Sequence, residues 1–456
     1  MDFKIQRISN GPKHHMFGFH DLVQTNAAGN LALALEIDDI SRPPLPGDVC
    51  TSGVINLDSN EFIPIHTTHT WNYPQGARQQ WLGNSNLFLC NDRDGDERLI
   101  SRLVDAEKRK VVETLPFPVH CANASLGKAI YINYDRLNSV GGYGYVSGKI
   151  SGYKRIVDMP NDDGLWVGDL NSKTNGELLV SIKEIAATGE KHPVNTGFPH
   201  YVTHPMLNPD GTRVAFLHRY RLPDGGETTR LMTIGVDGQD LRCLAKGFLS
   251  HFTWTASDEI FIWGAHQPSL FAMREAPYLR IPGLLHAAMC AKRVVKLFHA
   301  KKDAGGARKQ SLAFLLVKDA NISVVTPTAI GVLTEDGHPM ARPSDLRTVI
   351  SDSYPDKLGD RQFYLYNLDN EKRIDICKFR RIFATPDTKK FDYHAVQSGT
   401  DPRIIRRIDL AHYLFARSGL HCDLHPRWSA DGKSAFFDSI HEGTRQLYCA
   451  KVLNEA

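Results

Sequence analysis

The chain has 456 residues, 42% hydrophobic and 23% charged, which is enough apolar content for a sizeable core and excludes a disordered tail or linker. A formal net charge of +3 and an isoelectric point near 8.3 fall short of the strongly basic balance of a nucleic-acid binder, and no RNA- or DNA-binding motif is present. Eight cysteines lie scattered without a C-x-x-C pair, as reduced structural thiols would. The N-terminus lacks the apolar core of a secretion signal and no apolar run reaches transmembrane length, so the expected location is the cytoplasm.

In chain order, Lys4 to Ile8 reads as a short alternating strand without a hairpin partner nearby, and its expected partner is the far end of the chain, Gln446 to Val452. A unit then recurs: an opening residue, a short strand, a small polar turn and an apolar return strand. It is clearest at His204-Pro205-Met206-Leu207-Asn208-Pro209-Asp210-Gly211, where Pro-Asp-Gly makes the turn and Val214 to Leu217 return. A second copy opens at His425-Pro426-Arg427-Trp428 and turns at Asp431-Gly432, and a looser one opens at His338-Pro339. Degraded copies open near His20, Gln80, His120 and His251. Seven openings in this length leave roughly 40 to 50 residues per unit plus insertions, the spacing of a β-propeller. The expected architecture is therefore all-β: a single seven-bladed β-propeller domain over 1–456 with helical insertions, the first strand closing the last blade.

Two insertions interrupt the pattern, at about 265–310 and 379–420, the second with a helix predicted over Ile404 to Ala416. The first reads as largely helical and is rich in basic residues, among them Arg274, Arg280, Lys292, Arg293 and Lys296. It suits either packing on the propeller's flank or peripheral contact of residues 280–300 with an anionic membrane surface. The segment Arg136 to Tyr145, rich in Gly and Tyr, is too long for a plain hairpin loop.

In a propeller the two ends of each inner hairpin reach one face. The openings His20, Gln80, His120, His204, His251, His338 and His425 should therefore meet the return ends, including Arg93, Tyr134, Arg136, Arg219 and Tyr354, at one funnel mouth. One such histidine is ordinarily a hydrogen-bonded structural residue. Six at equivalent places have the composition of a site, although histidine–aspartate pairs could also staple blades together.

The phrases His15-Met16-Phe17-Gly18-Phe19-His20-Asp21, Gln75 to Trp81, Tyr134-Asp135-Arg136-Leu137, Gly142-Tyr143-Gly144-Tyr145, Phe216-Leu217-His218-Arg219 and His425-Pro426-Arg427-Trp428 together resemble the oligogalacturonate-lyase-like and ulvan-lyase-like propellers. The resemblance spans most of the chain outside the insertions. It implies β-elimination at a uronic acid unit of an oligo- or polysaccharide, which needs a cation to neutralise the carboxylate, a base for the C5 proton and an acid for the leaving oxygen. By position it assigns neutralisation to Arg219 or Arg136 and proton transfer to His204, His120 and Tyr134. Substrate contacts would come from His20, Gln80, Arg93, Tyr143, His251, Tyr354 and Arg427. Oligogalacturonate lyases hold manganese with histidines and a glutamine. The nearest analogue here is His338, His425 and His421 for a divalent cation (manganese, calcium or zinc), without the compact Gln-x-x-His-x-His arrangement. The rival reading is a non-catalytic propeller that binds glycan or protein in a polysaccharide biosynthesis system. A peptidase propeller is not expected, because the sequence shows no G-x-S-x-G elbow and no hydrolase-like stretch after the repeats.

Overall fold

A computed structural model describes residues 2–147, 155–190, 194–276, 279, 283, 312–356, 358–380, 391–406 and 408–454. Most of the basic segment read from the sequence, including residues 284–311, lies outside them.

Short strands joined by tight turns make up a succession of antiparallel sheets, each built from consecutive strands. The first contains His14–Met16, Leu31–Ile37, Cys50–Asn56 and Glu61–Thr68. The second contains Gln80–Trp81, Leu87–Arg93, Leu99–Asp105 and Lys110–Leu115. The third contains Cys121–Asn123, Lys128–Ile132, Gly164–Asp169 and Glu177–Ser181. A seven-stranded sheet follows, running from Tyr201–Leu207 to Val325–Thr328. Its central member, Arg242–Ala256, pairs on one side with Glu227–Gly235 and on the other with Glu259–His266. Next come Met340–Arg342, Asp345–Asp352, Asp360–Asn367 and Lys372–Arg380. The last sheet joins Arg427–Trp428, Ser434–Ser439 and Gln446–Asn454 to the N-terminal strand Asp2–Arg7, with Phe3 opposite Val452 and Arg7 opposite Tyr448. Pairing the two ends of the described chain in one sheet leaves the succession without an open end.

One device recurs between successive four-stranded units, the seven-stranded sheet holding two that share Arg242–Ala256. The indole N–H of Trp81 donates to the Gln24 carbonyl at 2.9 Å, that of Trp254 to Met206 at 3.1 Å and that of Trp428 to Met340 at 3.1 Å. Each tryptophan thus satisfies its polar atom on a backbone carbonyl of the preceding unit, at or just after that unit's inner strand. The buried core is divided in the same way, into clusters lying between sheets such as Met340, Ile350, Trp428, Phe437 and Tyr448. The chain is an all-β propeller with helical insertions.

Three local readings differ from the sequence expectation. His204 does not open its strand: Tyr201–Leu207 begins three residues earlier and bulges between Thr203 and Met206, with His204 at φ +55°. The bulge re-aims the histidine away from the ladder. The helix expected over 404–416 is two, Pro402–Ile405 and Leu410–Phe415, because Asp409 caps the second by accepting from the backbone N–H of Ala411 and His412. The Gly- and Tyr-rich segment starts as a helical turn, Tyr134–Arg136 and Leu137–Gly141, which ends where Gly142 takes φ +80°.

Candidate functional site

Five histidine rings from distant parts of the chain gather around Phe19. Its ring centre lies 4.2 Å from that of His20, 4.8 Å from His204, 5.2 Å from His425, 6.0 Å from His251 and 6.2 Å from His338. Phe19 is placed by Gly18, whose φ is +146° and where a Cβ would stand 2.7 Å from the Gln75 carbonyl oxygen. Within the cluster His251 and His338 are 4.3 Å apart and His338 and His425 4.4 Å, with Tyr354 flanking at 5.4 Å from His338. Side chains of distant sequence positions meet here because each sheet sends its inner strand toward the middle of the ring.

One side of the cluster is built to hold a cation. His338, Asp423 and His425 each offer a ligand atom, all within 4.8 Å of one another. The His338 Nδ1–H donates to Asp352 Oδ1 at 2.8 Å and the His425 Nδ1–H to the Gly18 carbonyl at 2.8 Å, so both rings present the Nε2 lone pair. Asp352, fully buried, also accepts from the backbone N–H of His338 at 2.8 Å and of His425 at 3.3 Å, locking both ligand-bearing segments with one carboxylate. Burial works against a charge on Asp423, but His421, at 3.2 Å through Nε2, and Arg361, at 2.6 Å, outweigh it and hold the carboxyl far below its usual range. Burial, reinforced by His338, keeps His425 neutral. A neutral imidazole on His425, a second on His338 that gives up its proton to bind, and a carboxylate, all oriented from behind, fit a divalent cation. His421, expected as a ligand, lies behind Asp423. The sequence signal for Asp423 was its place two residues before His425, the spacing that puts both side chains on one face of an extended segment.

The opposite side carries Arg219. It stands opposite Tyr201 in the hairpin that holds His204, donates through Nη1 to the Tyr143 hydroxyl at 3.1 Å and makes a long contact of 3.4 Å to the Leu249 carbonyl. Its Nε is buried without a partner, and among the described residues the guanidinium forms no ion pair, its hydrogen bonds going to the Tyr143 hydroxyl and the Leu249 carbonyl. Tyr143 in turn lies 5.9 Å from His204, whose Nδ1 meets the Thr203 hydroxyl at 2.8 Å. Burial and, next, Arg219 push the His204 imidazole far below its ordinary range, so it is neutral at pH 7.

His120 sits behind this side. Its Nδ1 meets the Tyr134 hydroxyl at 2.9 Å, and Tyr134 donates to the Val119 carbonyl at 3.2 Å while stacking on Tyr145. Arg78, which the sequence reading passed over, grips Asp21 with two bonds of 2.8 Å and donates through Nε to the His120 carbonyl at 2.9 Å. Gln80 makes long contacts to the carbonyls of Arg78 and His120, at 3.3 and 3.4 Å. His251 faces Asp336 at 3.4 Å.

The remaining sequence candidates have their bonds elsewhere. Arg136 donates to the carbonyls of Val157, Asp158 and His200. Arg93 donates to the Glu97 carbonyl and to Asp135. Arg427 is fully buried and spans Gln24 and Asp438, where it joins the last sheet to the first.

No family model matches the sequence, and no curated protein matches it. The structure is similar to an oligogalacturonate lyase from Vibrio parahaemolyticus, with a TM-score of 0.53 at 12% identity, over 99% of this chain and 97% of the other. It is similar also to an oligogalacturonate lyase in complex with manganese, with a TM-score of 0.54 at 13% identity, over 98% and 93%. At such identity the likeness establishes the shared propeller fold.

Proposed function

We propose that this chain is a seven-bladed propeller that cleaves uronic-acid-containing oligo- or polysaccharide by β-elimination at the histidine cluster. The count of seven takes the seven-stranded sheet as two blades, since Arg242–Ala256 is both the outer strand of one four-stranded unit and the inner strand of the next. The observation that carries the activity is Arg219: a guanidinium without an ion pair among the described residues, one nitrogen buried and unpartnered, beside a neutral histidine. Such a group suits the planar carboxylate of a uronate, which it would bind through two parallel hydrogen bonds. His204 would take the C5 proton, the C4–O bond would break as the C4–C5 double bond forms, and the Tyr143 hydroxyl would protonate the departing oxygen. Arg219, hydrogen-bonded to that hydroxyl, is placed to stabilise the phenolate left behind. A divalent cation held by His338, Asp423 and His425 would supply further positive charge to the cluster. The solved relative with manganese supports manganese as the first ion to test.

The test is to present purified protein and Mn2+ to a panel of uronate-containing oligosaccharides and follow the ultraviolet absorbance of the unsaturated uronate. Absorbance growth is expected. Binding without absorbance would instead support the glycan-binding propeller, and neither would refute a carbohydrate role.

A further inference from the structure

Resting on the cation site proposed above, we propose that His20 is a fourth protein ligand of the ion, which makes the set three histidines and one carboxylate. His20 is 1% exposed, and neither of its ring nitrogens has a hydrogen-bond partner among the described residues. Buried imidazole nitrogens without partners are costly, because they give up water and gain nothing in return. The other members of the cluster do not share this state: His338, His425, His204 and His251 each have Nδ1 engaged, by Asp352, Gly18, Thr203 and Asp336 or Ser250 respectively.

Position supports the assignment. The His20 ring centre is 5.4 Å from that of His338 and 6.3 Å from that of His425. Two imidazoles bound to one ion at nitrogen–metal lengths of about 2.1 Å have ring centres about 5.3 Å apart at a tetrahedral angle and about 6.5 Å apart when trans, so His20 suits a shared ion with His338 and comes within range of His425. The mutually close donor set is His338, Asp423 and His425, and His20 would complete it by turning about its side-chain bonds. No hydrogen bond resists that turn, since neither nitrogen holds one. Phe19, with its ring centre 4.2 Å away, backs His20 on the side of His204.

The experiment titrates the full chain, freed of metal, with Mn2+ by calorimetry and chelator competition, comparing the parent with His20→Ala, His20→Phe and His338→Ala. His20→Phe keeps a ring of similar volume but has no donor, which guards against a loss caused by misfolding. Both His20 variants should bind Mn2+ about 10- to 100-fold more weakly than the parent. Their metal-free melting temperatures should match or exceed the parent's, because two unpartnered polar atoms are removed. Electron paramagnetic resonance of the Cu2+ form should count one imidazole nitrogen fewer in each. Parent-like affinity in His20→Phe with lost affinity in His338→Ala would overturn the assignment of His20 and leave the cation site standing. A parent that binds no Mn2+ would overturn the cation site and His20 with it.

Discussion

Replacing Arg219 by lysine is the most discriminating perturbation of the proposed chemistry. The guanidinium has one strong protein bond, to Tyr143 at 3.1 Å, and one marginal contact, to Leu249 at 3.4 Å. Lysine keeps the charge and can keep one of these, so the fold should lose about 1 kcal/mol at most. The strand itself is insensitive, because residue 219 pairs with Tyr201 and Thr229 through its backbone. The substrate carboxylate would lose one of two parallel charge-assisted hydrogen bonds, about 1.5 to 3 kcal/mol, or roughly ten- to hundredfold in kcat/KM. The assay is the ultraviolet absorbance of the unsaturated product with a melting curve beside it. Activity of Arg219→Lys within twofold of the parent would refute the reasoning, as would a collapse in melting temperature matching the loss of activity. Arg136→Lys is the control: its guanidinium holds three backbone carbonyls, so it should lose stability first.

His204→Ala should reduce turnover by roughly 10²- to 10⁴-fold while the melting temperature stays near the parent's, read by the same pair of assays. Cation binding should strengthen as pH rises. Burial opposes a charge on His338, yet Asp352 outweighs it and raises this group, so Mn2+ must displace a proton until pH passes the raised value, which calorimetry in buffers of different ionisation heat would measure. Stability should fall as pH drops below about 6.5. His20, His120, His204 and His425 are held neutral by burial, the unfolded chain takes up their protons first, and each contributes up to about 1.4 kcal/mol per pH unit to the slope of chemical denaturation against pH. Removing residues 1–9 should lower the melting temperature markedly, since it strips the six-residue pairing between Asp2–Arg7 and the last strand, and an unchanged value would show that this pairing contributes little.

The histidines were legible in the sequence because each stands at a fixed place in a repeated unit. A repeat whose strands pair locally specifies its own sheet, so turns such as Pro209-Asp210-Gly211 and the apolar return strands determined the blades, and with them the meeting of His20, His204, His251, His338 and His425. Arg219 and His204 were legible together for the same reason, as the two sides of one hairpin. What the sequence left undecided concerns contacts between units. Asp423 rather than His421 faces His338 because the segment before the last blade turns the carboxylate inward and leaves His421 behind it, a choice made by Arg361 and Asp352 from the preceding sheet. Arg136 and Arg427 read like Arg219 in the chain, yet their guanidinium groups bridge buried carbonyls and carboxylates between sheets. Whether an arginine is free for a ligand or bound to the fold depends on which acceptors other sheets bring within 3 Å or so of it, and only the tertiary structure decides that.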